Sequence, residues 1–228
     1  MNFSPIKSGK GTTNWGNDLG LQMITINIKL HHITSAKDYD IFQPLKNDNI
    51  TIVMDMIDDH IGINAIDEYG QTPLMIAIIN KNMLIISSLL NTRRPIVNVH
   101  ISKPSGYNAI FYAVQYAGPD VLQSLLYRGA DPNTIILTDS GKGNTPLHFA
   151  CLLEKIKHAD LLIRYGASVR ILNAYGQEPY SLIPKDAPQS TKLDFKKMFD
   201  FAYNVLPEKH EKTIVDIKKG HHFVHPDF

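Results

Sequence analysis

The residue types that could do chemistry in this 228-residue chain are few and scattered. Gly9-Lys10-Gly11-Thr12-Thr13 holds the glycines, lysine and hydroxyls of a phosphate loop, in which backbone amides and an ammonium cradle a polyphosphate. The Gly-x-x-x-x-Gly-Lys-Ser/Thr spacing is missing, as is a strand before it and a helix after it, so the run reads as a plain arm. His221, His222 and His225 could reach one metal ion from a turn, but only Asp227 stands nearby as a further ligand. His31-His32 is no stronger, and no metal is expected. Cys151 would be a nucleophile only as a thiolate in an electropositive, partly exposed setting. It follows Ala150 inside an apolar helix pattern, which predicts a buried and inert thiol. No nucleophile, base and orienting group declare themselves as a set, so no catalytic or cofactor-binding residue is assigned, and an enzyme is not expected.

Composition sets the elements that would have to position any such group. A hydrophobic content of 43% with 20% charged residues suffices for a folded core. A net charge of +1 argues against nucleic acid or an anionic membrane as the main partner, because such binding rests on a strong positive field. One cysteine excludes an intramolecular disulfide and any cysteine cluster, which fits a reducing compartment. The expected location is the cytoplasm, with the nucleus or delivery into a host cell left open. No window approaches the roughly 18 consecutive apolar residues of a membrane span, and the N-terminus lacks the apolar run of a secretory signal. Residues 1–21, rich in Gly, Ser, Thr, Asn and Lys, read as a flexible arm. Residues 22–34 alternate, with Ile24, Ile26, Ile28 and Leu30 on one side and Thr25, Asn27 and Lys29 on the other, the period of a half-buried strand or extended cover.

Repetition organises the remainder. Gly143 to Ala150 reads Gly-x-Thr-Pro-Leu-His-x-Ala. Thr145 is placed to cap a helix, and Pro146 takes the first helical position, where a missing amide hydrogen costs nothing. The same lettering returns at Gly70 to Ala77, and weaker forms stand at Gly106 to Ala113 and Gly176 to Tyr180. Pro73, Ala109, Pro146 and Pro179 are separated by 36, 37 and 33 residues. A second marker keeps step, since Leu90, Leu126 and Ile163 each lie 17 residues after the first three. Each closes an apolar helix pattern: Leu84, Ile85, Leu89, Leu90; Val121, Leu122, Leu125, Leu126; Ala159, Leu161, Leu162, Ile163. Every unit therefore holds two short helices, with Gly129 and Gly166 suited to the left-handed turn that ends the second.

This unit resembles that of the ankyrin repeat family, Asp-x-x-Gly-x-Thr-Pro-Leu-His-x-Ala followed by Leu-Leu-x-x-Gly-Ala-x-x-Asn, over roughly residues 38 to 183. Asn108-Ala109 replaces Thr-Pro in one unit, Met75 and Phe111 replace the histidine, and Thr92-Arg93-Arg94-Pro95 stands where Gly-Ala is usual. These departures bear on turn geometry, not on the fold. The resemblance implies an all-α solenoid of helix-turn-helix units with β-hairpin-like loops, in about five repeats including atypical caps. Residues 35–189 would form it, with copies near 35–66, 67–101, 102–137, 138–170 and 171–189. In the first copy Ser35 is placed to cap a helix through Ile41, Phe42 and Leu45, and Ile50, Ile52, Val53, Met56 and Ile57 form the second helix. A helix at 190–206, with Leu193, Phe195, Met198, Phe199 and Ala202 toward the stack, reads as a C-terminal cap, and 207–228 as a polar tail. In the family the histidine at His148 ties adjacent turns, so it is read as structural. Asn98 and Asn133 stand in a setting similar to ankyrin asparagines that are hydroxylated, although tying the turn is their favoured role.

Family members hold targets in a concave groove of hairpin tips and the exposed side of each first helix. Mapped here, that groove comprises Glu68, Tyr69, Gln71, Ile79 and Asn80; Ser105, Tyr107, Gln115 and Tyr116; Lys142, Asn144, Leu152 and Leu153; and Tyr175 and Gln177. Tyrosines and aliphatics flanked by amides suit an interface. The competing reading packs Ile79, Leu152 and Leu153 into the stack. The expected function is a non-enzymatic scaffold or adaptor for a protein partner, monomeric on its own. The alternative is a regulatory or accessory subunit, or a secreted effector, whose terminal extensions carry the activity while the repeats localise it.

Overall fold

The computed structural model describes residues 40–92, 96–138 and 141–205. The chain divides into Met1–Asp40 and Ile41–Phe228, and every described residue after Asp40 belongs to the second unit. The arm, the 22–34 segment, Ser35, Arg93 to Pro95 and the tail, with their candidate phosphate and histidine motifs, lie outside the described residues.

Helices come in pairs. The first copy holds α1 (Phe42–Lys46) and α2 (Ile50–Asp58), the second α3 (Pro73–Ile79) and α4 (Met83–Asn91). The third holds α5 (Ala109–Tyr116) and α6 (Pro119–Tyr127), the fourth α7 (Pro146–Leu152) and α8 (Ile156–Arg164). A 3-10 turn at Pro179–Leu182 and the longer α9 (Gln189–Val205) complete the series. The first helices pack in one row, α1 on α3, α3 on α5, α5 on α7 and α7 on the 3-10 turn; α2, α4, α6, α8 and α9 pack in a second row. The result is an all-α repeat solenoid.

Local chemistry sets each start. Thr72 accepts a hydrogen bond from the Met75 amide at 3.2 Å, and Asn82 from the Ile85 amide at 3.2 Å, so each satisfies an amide that the helix leaves open. At α5 the start is uncapped: the Asn108 amide donates to the Thr134 hydroxyl at 3.4 Å, and its Oδ1 is buried without a hydrogen bond. The helix still begins at Ala109, so the packing of its apolar face overrides the lost cap.

The core consists of equivalent positions placed one above another. Leu74, Ile110 and Leu147, then Ala77, Ala113 and Ala150, then Ile78, Val114 and Cys151 are buried in the first-helix row. Leu89, Leu125 and Leu162 do the same in the second. Three sequence expectations need correction. Leu84 is 53% exposed and Ile86 takes its buried place, because Ile85, Ile86, Leu89 and Leu90 are the residues that share the inward side of α4. The helix carrying Phe42 and Leu45 starts at Phe42 without a side-chain cap, too late for Ser35 to cap it. Leu193 is exposed on α9, whose inward side is formed by Phe195, Phe199 and Ala202 with Met198 packed beside them.

Hairpin turns join the units. Asp67 Oδ1 accepts from the Tyr69 and Gln71 amides at 2.9 and 2.8 Å, and Asn173 does the same for Tyr175 and Gln177 at 2.9 and 3.0 Å. Neighbouring hairpins then bond to each other: the Leu137 amide to the Ser105 carbonyl at 2.8 Å, and the Ala174 amide to the Lys142 carbonyl at 2.9 Å. Asn133 adds a side-chain tie, donating to the Gly166 carbonyl at 2.9 Å and accepting from the Ser168 amide at 2.8 Å. Asn64 makes the equivalent pair with the Ile96 carbonyl and the Asn98 amide, while Asn98 itself accepts from the His100 amide.

Two stability outcomes follow. Gly106 sits at φ +87 with room for no Cβ, which would fall 2.4 Å from the Ile135 carbonyl oxygen; Gly129, also at φ +87, opens on empty space. Gly129→Ala incurs only the left-handed backbone cost of about 1 kcal/mol, whereas Gly106→Ala should lose about 2 kcal/mol more through the clash. Equal urea midpoints for the two variants would contradict the hairpin packing. Asn108→Thr should gain about 1 kcal/mol by restoring the cap and removing a buried orphan oxygen. A lower urea midpoint than wild type would show instead that the Thr134 contact is worth more than the cap.

Candidate partner-binding face

The exposed side chains of the first-helix row and the hairpin tips lie along one edge of each repeat. Lys46, at the end of α1, reaches the tip of the next hairpin: its Nζ stands 3.8 Å from a Glu68 carboxylate oxygen and 5.8 Å from the Tyr69 ring centre. In the third copy the aromatics form a continuous strip. Tyr107 lies 5.4 Å from Phe111, 5.9 Å from Tyr112 and 6.1 Å from Phe149, and Tyr112 stacks on Tyr116 at 6.3 Å between ring centres. Tyr112 and Tyr116 are four apart on α5 and share a face of it. Burial, and then the nearby Tyr112 and Tyr116 hydroxyls, raise the Tyr107 pKa, so its phenol stays a protonated donor at neutral pH.

Most residues assigned to the groove are open to solvent. Glu68, Tyr69, Asn80, Lys142, Tyr175 and Gln177 are exposed, and Tyr116, Leu152 and Leu153 are 37%, 44% and 39% exposed. Gln71, Ser105, Tyr107 and Gln115 are half-buried. Ile79 is half-buried and packs on the core, as the competing reading had it, whereas Leu152 and Leu153 do not. Asn144 is a correction: it is 7% exposed, and its Oδ1 accepts from the Asn173 amide at 2.9 Å, so it joins two hairpins and faces no partner.

Sequence reasoning missed Tyr112 and Phe149. Both occupy the x of the Leu-His-x-Ala pattern, equivalent to Ile76, and large residues at that position in three successive copies were the available signal. It also missed Lys155, whose Nζ donates to the Gln115 carbonyl at 3.0 Å, beside His158, whose Nε2 bonds the Ala117 carbonyl at 3.1 Å. Two side chains of α8 and the residue before it thus satisfy carbonyls at the end of α5, where a cation also meets the negative end of the helix dipole.

The candidate base and nucleophile are both committed to packing. His148 Nδ1 accepts from the Thr145 amide at 3.1 Å and Nε2 donates to the Gln177 carbonyl at 3.0 Å, so the ring bridges its own helix start to the next hairpin as a neutral tautomer. Burial lowers its pKa to about 4, against the smaller raising effects of the Gln177 bond and the Glu178 charge. Cys151 lies in the apolar column with Ile78 and Val114, and burial raises its pKa well above the usual thiol range.

The repeat geometry is matched by sequence comparison. The family pattern described as ankyrin repeats in three copies fits residues 30–136, and the single ankyrin repeat pattern fits 142–174. The chain belongs to the ankyrin repeat family. Among curated proteins, this ankyrin repeat chain is 36% identical over 87 residues to ankyrin repeat and SOCS box protein 11 of Danio rerio, covering 38% of this chain and 28% of that one. It is 30% identical over 89 residues to putative ankyrin repeat protein L92 of Acanthamoeba polyphaga mimivirus, covering 39% and 21%. It is 26% identical over 109 residues to the putative E3 ubiquitin-protein ligase XBAT34 of Arabidopsis thaliana, covering 48% and 28%. The chain thus spans less than a third of the length of these relatives. Ankyrin repeats generally mediate protein–protein interaction. Among the described residues no helix is long and apolar enough to cross a membrane.

The buried histidine sets a pH dependence. His148 is neutral when folded, with a pKa of about 4 against an ordinary 6.5, so between those values the unfolded chain binds the extra proton. Stability is complete above pH 6.5 and falls by up to about 1.4 kcal/mol per pH unit below it, until the folded ring also titrates. Burial lowers the His158 pKa as well, adding a loss of the same sign. Urea midpoints at pH 7.5 and 5.0 should separate more in wild type than in His148→Gln; an unchanged separation would show that His148 does not carry the effect.

Proposed function

We propose that this chain is a binding scaffold whose hairpin-side face receives a segment of a protein partner. The observation that carries the reading is the exposed Tyr116, Leu152 and Leu153, with Tyr116 stacked on the buried Tyr112 and Phe149 half-buried, on a chain that has a full core elsewhere. Exposed apolar side chains that are contiguous, rimmed by polar groups and fixed on rigid elements are the usual composition of an interface centre. Preorganisation supports it further, since the helices beneath are bonded to their neighbours and little entropy is lost when a partner docks. Glu68, Tyr69, Gln71, Lys142, Tyr175 and Gln177 supply the polar and aromatic rim, and Ser105, Tyr107, Gln115, Ile79 and Asn80 the wall and floor between. Among the described residues His148 and Cys151 are both committed to packing, and the reading is non-enzymatic. The SOCS box and ligase names of the relatives describe those proteins, and an adaptor role is their counterpart here.

Tyr116→Ala with Leu152→Ala should weaken capture of a natural partner by at least about 2 kcal/mol, roughly thirtyfold in Kd. Each side chain is partly exposed, so the loss in urea stability should stay near or below about 1 kcal/mol. Tyr127→Ala removes an aromatic that is 84% exposed on α6 and outside the face, and should leave capture unchanged. Partner binding measured by calorimetry that survives the double variant, but falls on removal of residues 1–34 or 207–228, would transfer the activity to the terminal extensions.

A further inference from the structure

Among the described residues, polar ties cross every junction between copies but one. The first and second copies are joined by Asn64, which donates to the Ile96 carbonyl and accepts from the Asn98 amide, and by Lys46 beside Glu68. The third and fourth are joined by Asn133, by the Leu137 amide on the Ser105 carbonyl, and by Lys155 and His158 on the carbonyls of Gln115 and Ala117. The fourth and fifth share the bonds of His148, Asn144 and the Ala174 amide. Between 67–101 and 102–137 the described residues make no hydrogen bond, ion pair or ring contact.

Particular residues account for the gap. Asn98 and Asp131 each accept from the amide two residues on, that of His100 and that of Asn133, so His100 occupies the place of the clasping asparagine. Its exposed ring bonds neither the Gly129 carbonyl nor the Asp131 amide, the groups that such a clasp would reach. Ala174, two residues before Gly176, donates to the Lys142 carbonyl, whereas Pro104, two before Gly106, has no amide hydrogen to give. Its Cδ stands 3.2 Å from where a Cβ on Gly70 would be, so the two hairpins touch without bonding. Met75 fills the place of His148 and brings an apolar side chain only. In the second row a groove of about 580 Å³ opens between Leu90 and Asn91 of α4 and Gln123, Ser124 and Tyr127 of α6.

What crosses this junction is stacked apolar surface, above all α3 on α5. Apolar burial has no preferred direction, whereas a hydrogen bond fixes distance and angle. In a repeat array each copy is coupled to the rest only through its junctions, so the junction with the fewest ties sets where the array divides. We propose that the solenoid opens at this seam, with residues 42–91 unfolding as one unit while 109–205 stays folded. The first side gives way because it holds only two copies, one of them with a first helix of five residues. Opening needs no partner, and it divides the docking face described above, since Tyr69 and Asn80 lie on one side of the seam and Tyr107 and Tyr116 on the other.

Native-state hydrogen exchange of the full chain, followed by mass spectrometry at low urea concentrations, tests the seam. Helix amides in 42–91 should exchange through an opening with a smaller urea dependence than the opening that exposes 109–164. Ile57→Val should speed exchange in 42–91 roughly fivefold and leave 109–164 unchanged, and Ile163→Val should do the reverse. His100→Asn, an exposed change that supplies the missing clasp, should slow exchange in 42–91 about fivefold or more without altering 109–164. A single exchange class covering both blocks, with Ile57→Val moving both equally, would overturn the proposal. So would a boundary that falls between the third and fourth copies.

Discussion

One constraint governs the structure: a pair of helices of seven to nine residues cannot bury its apolar surface alone. Each pair has an inner side for its own partner helix and two flanks that only another pair can cover. The columns of equivalent residues meet this need. Alanines at 77, 113 and 150 let the first helices approach closely, and the leucines at 89, 125 and 162 fill the second row. Substituting any of those leucines by alanine would cost on the order of 2–5 kcal/mol, a large part of what a domain of this size has in reserve. The identity of Cys151 is explained by the same column. It is a small apolar filler, and its burial there is what makes the thiol unreactive.

Stacking brings the hairpins into line but does not by itself hold them. Polar ties do that, and they differ from copy to copy. His148 bridges the fourth helix start to the Gln177 carbonyl, Asn144 meets Asn173, and Asn133 and Asn64 clasp the next hairpin through both ends of an amide. Where the histidine is replaced by Phe111, apolar contact with Tyr107 and Phe149 takes over the same position. The third copy thus exchanges a hydrogen-bonded tie for an aromatic one, and that exchange continues through Tyr112 to the exposed Tyr116. Scaffold and candidate site share their cause.

Legibility in the sequence followed from how local each feature is. The Gly-x-Thr-Pro signal at Gly143 to Pro146 marks a helix start because capping and proline placement act within four residues. The period of the units was visible for the same reason, repeated. Leu84 was harder to place, since a helix with apolar residues on most of its sides can turn either of two faces inward, and the neighbouring copy decides which. Asn144 lay at a position that the repeat leaves variable, but its side chain is captured by Asn173, which is 29 residues away.

By itself the sequence determined the family, the order of the helices, the Thr-Pro helix starts and the list of variable positions, because these depend on short-range spacing and on backbone sterics. Tertiary structure alone decided which variable positions are surface and which are ties. It separated Leu152 and Leu153, open to water, from Ile79, which leans on the core, and it joined Tyr107, Tyr112, Tyr116 and Phe149 into one strip across two copies. The reason is geometric: stacking turns residues one repeat apart in sequence into neighbours in space, and their contacts depend on side chains from both copies at once.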